Sequence, residues 1–318
     1  MTYKTPVATI FGGTGFVGRH TLKKLAGSEM VIRVATRSTA NAARLRTGGV
    51  VGQVVPMLVD PYDDRLLAAA IDGADIVVNL VGTLTTGGFK RAHAELPGRI
   101  GAAAKRAGVQ RVVHVSSIGA DPNAASRYAA SKGEGEVALR QAFADATILR
   151  PSVVFGPEDN FFNRFAMLAS FVPMLPLIGG GKTRFQPVWV GDVAQSIANA
   201  VADDNTRGRT FELGGPSAHS FEELMQLMLK TIRREGMLLP IPFGIAALAA
   251  KWTGWLPGAP LSSDQVEQLR HDNVVQQGAA TLKDLGIEAT SLEQILPTYL
   301  NRYRKGGQFA DIRDYSVR

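Results

Sequence analysis

The sequence predicts an α/β fold, a Rossmann-type doubly wound parallel sheet with a smaller C-terminal α/β lobe. Three observations lead there. Short apolar runs alternate with longer segments of helical period from the start of the chain. The runs are apolar at consecutive rather than alternate positions, as expected of strands covered on both faces. The first run leads straight into glycines at 12, 15 and 18, at a strand-to-helix junction.

Taken in order, the strand runs are Val7 to Phe11, Val31 to Thr36, Val54 to Val59, Ile76 to Leu80, Val112 to Val115 and Thr147 to Leu149. Helical patterns lie between them at Gly15 to Leu25, Asp63 to Ile71, Arg91 to Arg106 and Ser126 to Phe143. After Pro151 proline and glycine become dense. Helices are expected at Val193 to Val201, Phe221 to Arg233, Ser262 to Arg270 and Leu292 to Leu300, with a strand at Thr210 to Leu213. The division predicted is 1–150 as the domain that carries the sheet and the glycine loop, 151–304 as a smaller lobe closing over the mouth of the sheet with room for the chain to re-enter it, and 305–318 as a polar tail.

The chain has 318 residues, 45% hydrophobic and 20% charged, with no cysteine. Disulfides, thiolate nucleophiles and cysteine metal sites are therefore excluded. Its net charge of +7 comes from scattered basic residues rather than from one run, so no nucleic-acid partner is expected. The histidines at 20, 93, 114, 219 and 271 lie apart without metal-ligand spacing, and no Gly-x-Ser-x-Gly elbow supports a hydrolase. The first strand begins at Val7, which leaves no room for a targeting segment and suggests a bacterial or already mature chain. No apolar run reaches the length of a spanning helix.

The loop Gly12-Gly13-Thr14-Gly15-Phe16-Val17-Gly18 is the candidate dinucleotide site. Gly12 suits the tight turn, Gly15 a close approach to a pyrophosphate and Gly18 the packing of helix on strand, while the helix N-terminus favours negative charge. The end of the second strand distinguishes the cofactors. An acidic residue there would bond a ribose 2′-hydroxyl, whereas Thr36-Arg37-Ser38 offers a guanidinium and hydroxyls to a 2′-phosphate, which favours NADPH. The other reading of Arg37 is a solvated surface arginine. Asp60 after the third strand and Val81-Gly82-Thr83 after the fourth are candidates for the adenosine side, or loop and cap residues.

Tyr128 and Lys132, four apart on a helix, share one face, and Ser116-Ser117 end the fifth strand. An ammonium beside a phenol favours the phenolate, and a serine can orient a carbonyl or alcohol. Ser117, Tyr128 and Lys132 are thus the candidate catalytic set. The nearly apolar stretch Phe243 to Trp255 is either a core helix of the lobe or an interfacial helix with its tryptophans at headgroup level.

These residues, with the run Leu149 to Pro157, resemble the extended and atypical short-chain dehydrogenase/reductase superfamily. The runs Val7 to Arg19, Gly108 to Ser116, Phe155 to Asn163, Gln186 to Val193 and Leu261 to Leu269 resemble one branch more closely. That branch is the NADPH-binding accessory subunits of respiratory complex I (the alpha subcomplex subunit nine family) and their bacterial relatives. The resemblance implies that Pro151, Ser152 and Val153 contact the cofactor and that Lys132 reaches its nicotinamide ribose. It also implies that NADPH is a structural cofactor, that the partners are complex I subunits, and that the chain is peripheral on the cytoplasmic face of a bacterial inner membrane or its matrix equivalent. A free-standing NADPH-dependent reductase or epimerase-like enzyme is the alternative. A nucleotide-sensing regulator is a third reading, against which the intact Tyr128 and Lys132 speak.

Overall fold

The computed structural model describes residues 5–38, 45, 49–253 and 262–307. Trp255 and the tail beyond residue 307 lie outside the described residues. The chain divides into two compact units, each drawn from separated segments. The first comprises Met1–Pro151, Val190–Leu213 and Gln276–Glu288, and the second Ser152–Trp189, Gly214–Val275 and Ala289–Arg318. The lobe expected over 151–304 is therefore not one continuous stretch.

The first unit holds the sheet. Its strands are β1 (Val7–Phe11), β2 (Val31–Thr36), β3 (Val54–Leu58), β4 (Ile76–Asn79), β5 (Arg111–Val115), β6 (Thr147–Pro151) and, from the returning segment, β11 (Thr210–Leu213). They form a seven-stranded sheet in the order β11-β6-β5-β4-β1-β2-β3. Every neighbouring pair is parallel. Parallel neighbours need crossover connections, and the central strands β1, β4 and β5 are buried because helices cover both faces. The order reverses between β1 and β4, and a crevice for a ligand opens at such a switch point, beyond the carboxyl ends of the strands.

The helices of this unit are α1 (Phe16–Leu25), α2 (Asp64–Ile71), α3 (Leu96–Arg106), α4 (Arg127–Ala142) and α6 (Val190–Ala202). Asp63 caps α2 by accepting from the backbone N–H groups of Arg65 and Leu66, at 2.8 and 3.1 Å. The helix expected from Arg91 begins instead as a π-helical turn, Lys90–Glu95, and becomes regular at Leu96. Helix α4 packs against that turn through Gly135, where a Cβ would lie 1.8 Å from the His93 carbonyl oxygen. Only glycine fits there. Gly135→Ala is expected to force the two segments apart and to lower stability by about 2 to 3 kcal/mol, as overpacking of a buried contact does, measurable by urea denaturation.

In the second unit the strands are short. Pairs join β7 (Val154–Phe155) to β10 (Val188–Trp189) and β8 (Met174–Ile178) to β13 (Met237–Ile241) in parallel, and β9 (Arg184–Phe185) to β12 (His219–Ser220) antiparallel. Helices α5 (Phe162–Phe171), α7 (Phe221–Thr231) and α10 (Leu292–Leu300) enclose a core in which Phe155, Phe162, Phe221, Leu224 and Leu296 are buried. Helix α10 is fastened by the Tyr299 hydroxyl, which donates to Asp159 Oδ2 at 2.6 Å. The same carboxylate accepts the backbone N–H groups of Gly156, Phe161 and Asn163, so its burial is matched by four donors.

Helices α8 (Phe243–Thr253) and α9 (Ser263–Gln268) complete the unit. The described part of the apolar stretch is buried on one side and exposed on the other. Ala246 and Ala250 are buried in a small cluster with Ile178 and Val266, whereas Ile245, Leu248 and Trp252 are 61, 60 and 73% exposed. Their spacing of three and four places the exposed side chains along one helical face.

Candidate nucleotide site

The site is built at the carboxyl end of β1. Gly12 adopts φ +80°, and Gly15 N–H donates to the Gly12 carbonyl oxygen at 3.0 Å, which closes the turn into α1. A Cβ at Gly18 would stand 2.4 Å from that oxygen, so the helix can sit this close to the loop only with glycine there. Gly15 caps α1 with no side-chain hydrogen bond, and the first turn holds no acidic residue. The N–H groups of Phe16, Val17 and Gly18 therefore begin a helix whose dipole favours an anion. Arg19 braces the loop by donating to the Thr14 carbonyl oxygen at 2.8 Å.

At the end of β2, Thr36 is buried and its hydroxyl accepts the Ser38 N–H at 3.2 Å, while Arg37 is exposed. Arg37 is not isolated from other cations. The Tyr62 phenol feels its charge and that of Arg91, whose guanidinium carbon lies 4.0 Å from the Tyr62 ring centroid. Asp60 is exposed and accepts the Tyr62 N–H at 3.1 Å, the geometry of a turn cap.

Lys132 is buried on α4, and its ammonium donates to the Val115 carbonyl oxygen at 3.3 Å. Burial pushes it down to about 8, opposed by the charge of Glu136 one turn on. The Tyr128 phenol behaves otherwise than the spacing suggests. An ammonium four residues away was expected to lower it, yet burial raises it and the Ser117 hydroxyl is the group that opposes the rise. The Lys132 ammonium is turned to β5 rather than to the phenol. The hydroxyls of Ser116 and Ser117 are both buried without a hydrogen-bond partner.

Thus the structure brings Ser116, Ser117, Tyr128 and Lys132 together with the glycine loop in the first unit, and ends β6 at Pro151 beside them, where its carbonyl oxygen accepts the Ile118 N–H at 3.0 Å. Ser152 and Val153 belong to the second unit, where Asn273 Oδ1 accepts from the Ser152 hydroxyl at 2.6 Å and from the Val153 N–H at 3.2 Å. The residues of the first unit fit a dinucleotide. The glycine cradle has no space for side chains, the α1 N-terminus is uncapped, and the buried Ser116 hydroxyl is left for an outside partner.

Sequence reasoning missed three residues beneath Val81-Gly82-Thr83. Asn79 Oδ1 accepts the Val81 N–H at 3.1 Å, His114 Nδ1 lies 3.1 Å from Asn79 Nδ2, and His93 Nε2 accepts the Thr83 N–H at 3.0 Å. The available signal was a polar residue inside each of two apolar strand runs, Asn79 ending one and His114 interrupting the other. The structure aligns them as parallel partners.

Comparison with known proteins agrees with this geometry. The NAD(P)H-binding family profile matches residues 12–160. The chain is 36% identical over 316 residues to NADH dehydrogenase (ubiquinone) 1 alpha subcomplex subunit 9, mitochondrial, of Arabidopsis thaliana, covering 95% of this chain and 79% of the relative. The corresponding protein of Mus musculus is 34% identical, covering 94% and 80%. Among solved structures, the NADPH-dependent quinone oxidoreductase QOR2 of Escherichia coli, complexed with NADPH, superposes with a TM-score of 0.75 at 20% identity, covering 92% of this chain and 98% of that one. That likeness speaks for the fold. From the identity along nearly its whole length and the NAD(P)H-binding domain at its sheet, the chain belongs to the family of the alpha subcomplex subunit 9 of NADH dehydrogenase (ubiquinone).

Proposed function

We propose that the chain is an NADPH-binding accessory subunit of respiratory complex I, in which the nucleotide is a structural cofactor. The observation that carries this reading is the identity of more than a third to a relative of that name across 95% of the chain. NADPH rather than NADH is supported by Arg37 at the end of β2, with Arg91 acting on the same tyrosine. No described helix is long and apolar enough to cross a membrane. Attachment is then peripheral, through complex I subunits and through the exposed face of Ile245, Leu248 and Trp252, at the cytoplasmic face of a bacterial inner membrane or on the matrix side of a mitochondrial one.

Detergent-solubilised membranes are expected to yield the chain with complex I subunits and stoichiometric NADPH. Recovery solely in the soluble fraction, with turnover of a small carbonyl compound, would overturn the subunit reading. Arg37→Glu is expected to weaken NADPH binding by at least about 1.5 to 3 kcal/mol in calorimetry, the contribution of a charge-assisted phosphate contact, and to hold NADH as well or better, since the new carboxylate can accept from its ribose 2′-hydroxyl. Equal affinity of the unaltered chain for both nucleotides would remove the basis of that assignment.

A second reading, a free-standing reductase, is favoured by Ser117, Tyr128 and Lys132 all standing in the first unit, with the buried Ser117 hydroxyl left for an outside partner. Bound NADPH would supply hydride. Ser117 would hold the carbonyl oxygen and Tyr128 would deliver its proton.

A further inference from the structure

The backbone between β4 and the π-helical turn is held from below by two buried histidines. Val81 N–H donates to Asn79 Oδ1, so the Asn79 amide nitrogen is the atom facing His114 Nδ1 at 3.1 Å. An amide NH2 only donates, which makes Nδ1 of His114 an acceptor and leaves the ring neutral. His93 takes the Thr83 N–H at Nε2, so its own proton sits on Nδ1 and is donated to the Ser131 hydroxyl at 3.1 Å. Ser131 passes its hydrogen to the Tyr128 carbonyl oxygen at 2.8 Å. Phe89 stacks on the His93 ring at 5.3 Å and Tyr128 meets it edge-on at 5.3 Å, which fixes its plane.

We propose that His93 and His114 are positioning residues for the dinucleotide: His93 directly and His114 through Asn79 take the two backbone N–H groups flanking Gly82, and so hold Gly82 over Lys132. A Cβ on Gly82 would lie 3.7 Å from Lys132 Nζ and 3.8 Å from His93 Nε2, so the loop, the ammonium and the imidazole share one small volume. This inference rests on the reading of the site as a nucleotide site.

The chemistry explains why imidazole serves here. The task needs an acceptor for a backbone N–H within reach of a buried ammonium. A carboxylate would accept the bond but would also pair with Lys132 and draw it from the cofactor side, whereas a neutral imidazole accepts without competing. The groups facing His93 and His114 are Lys132, Tyr128 and each other. Both rings are held down to about 3 by burial, with the Lys132 charge adding to the effect, so they stay neutral at physiological pH. His114 also keeps its Nε2 buried without a partner, a standing cost that an apolar residue would avoid.

The test compares His93→Leu with His93→Gln in the full chain, reading NADPH affinity by calorimetry and exchange of the Thr83 amide by NMR. His93→Leu is expected to bind NADPH about tenfold more weakly and to expose the Thr83 amide. Gln can accept through Oε1 and donate through Nε2, and should recover affinity to within about threefold together with amide protection. If His93→Leu fails to fold, Asn79→Ala gives the corresponding reading at the Val81 amide. Leu performing as well as His, or Gln no better than Leu, overturns the inference. If the unaltered chain binds no NADPH while amide protection still follows the order His, Gln, Leu, the loop is positioned as inferred and the nucleotide reading fails instead.

Discussion

Acidification from pH 6.5 to 4.5 is expected to remove about 5 kcal/mol of folding stability through two side chains, His93 and His114. Both are lowered from 6.5 to about 3 in the folded chain, chiefly by burial. Below 6.5 the unfolded chain takes up a proton at each ring and the folded chain does not, so the unfolded state binds more protons and stability falls with pH. The slope is about 2.7 kcal/mol per pH unit for the pair, and it flattens once the folded rings also protonate near 3. Lys132, lowered to about 8, acts at the other end of the scale: stability gains as pH rises from there towards the ordinary lysine range. Urea denaturation at intervals of pH measures this directly. His93→Gln should halve the acid slope, and an unchanged slope in that variant would show that carboxylates, rather than the two rings, govern it.

Arg150→Met is expected to cost about 3 to 5 kcal/mol, because it strands two buried carboxylates at once. Arg150 on β6 donates from Nε to Glu136 Oε1 at 3.0 Å and from Nη2 to Glu136 Oε2 at 2.6 Å, and its Nη1 lies 3.7 Å from Glu212 Oε1. Glu212 stands opposite Arg150 in the parallel register of β11 and β6. Side chains of Glu136 and Glu212 are only 8 and 5% exposed, so water cannot replace the guanidinium. Replacing all three by Met, Gln and Gln should restore most of the loss, since a removed network leaves no uncompensated charge. A loss under about 1 kcal/mol for the single substitution would mean that Glu136 turns to Lys132 instead, and a raised Lys132 pKa would reveal it.

The sheet was legible because its central strands, β1, β4 and β5, are buried on both faces and so are written as apolar runs. Val7 to Phe11 and Thr210 to Leu213 appear in the structure with those bounds. Asp63 and Ser126, read as helix starts, proved to be the capping residues one position before α2 and α4. The second unit was less readable. Strands of two residues carry no periodicity, and β8 and β13, with Pro176 and Pro240 inside them, contradict ordinary strand composition. Helix α5 was not anticipated: Phe161 precedes it without a side-chain cap bond, and the carboxylate that takes its first N–H groups, Asp159, lies three residues before the helix begins.

For the site, the glycine loop and the pair Tyr128 and Lys132 were legible as candidates because their spacing coincides with a strand-to-helix junction and with the helix after the fifth strand. His93 and His114 could not. Their role depends on a register between β4 and β5 and on a π-helical turn, which sequence distance conceals. Reading histidines only for metal-ligand spacing overlooked that a neutral ring is also a backbone hydrogen-bond partner. The direction of the Lys132 ammonium was equally hidden, because two side chains on one helical face need not address each other.

Both units are closed by late segments of the chain. The first requires Gln276–Glu288, and the second requires Ala289–Arg318, which brings Tyr299 to Asp159 across a separation of 140 residues. On the ribosome neither can be completed as it emerges. The apolar strands β1 to β6 leave the exit tunnel well before β11 can cover the outer edge of β6, and at synthesis rates of roughly 5 to 20 residues per second that interval lasts seconds. During it the β6 edge is a template for pairing with other chains. Truncation before residue 276 is expected to leave both units without their last segments, and so to yield a chain held by chaperones rather than a folded one.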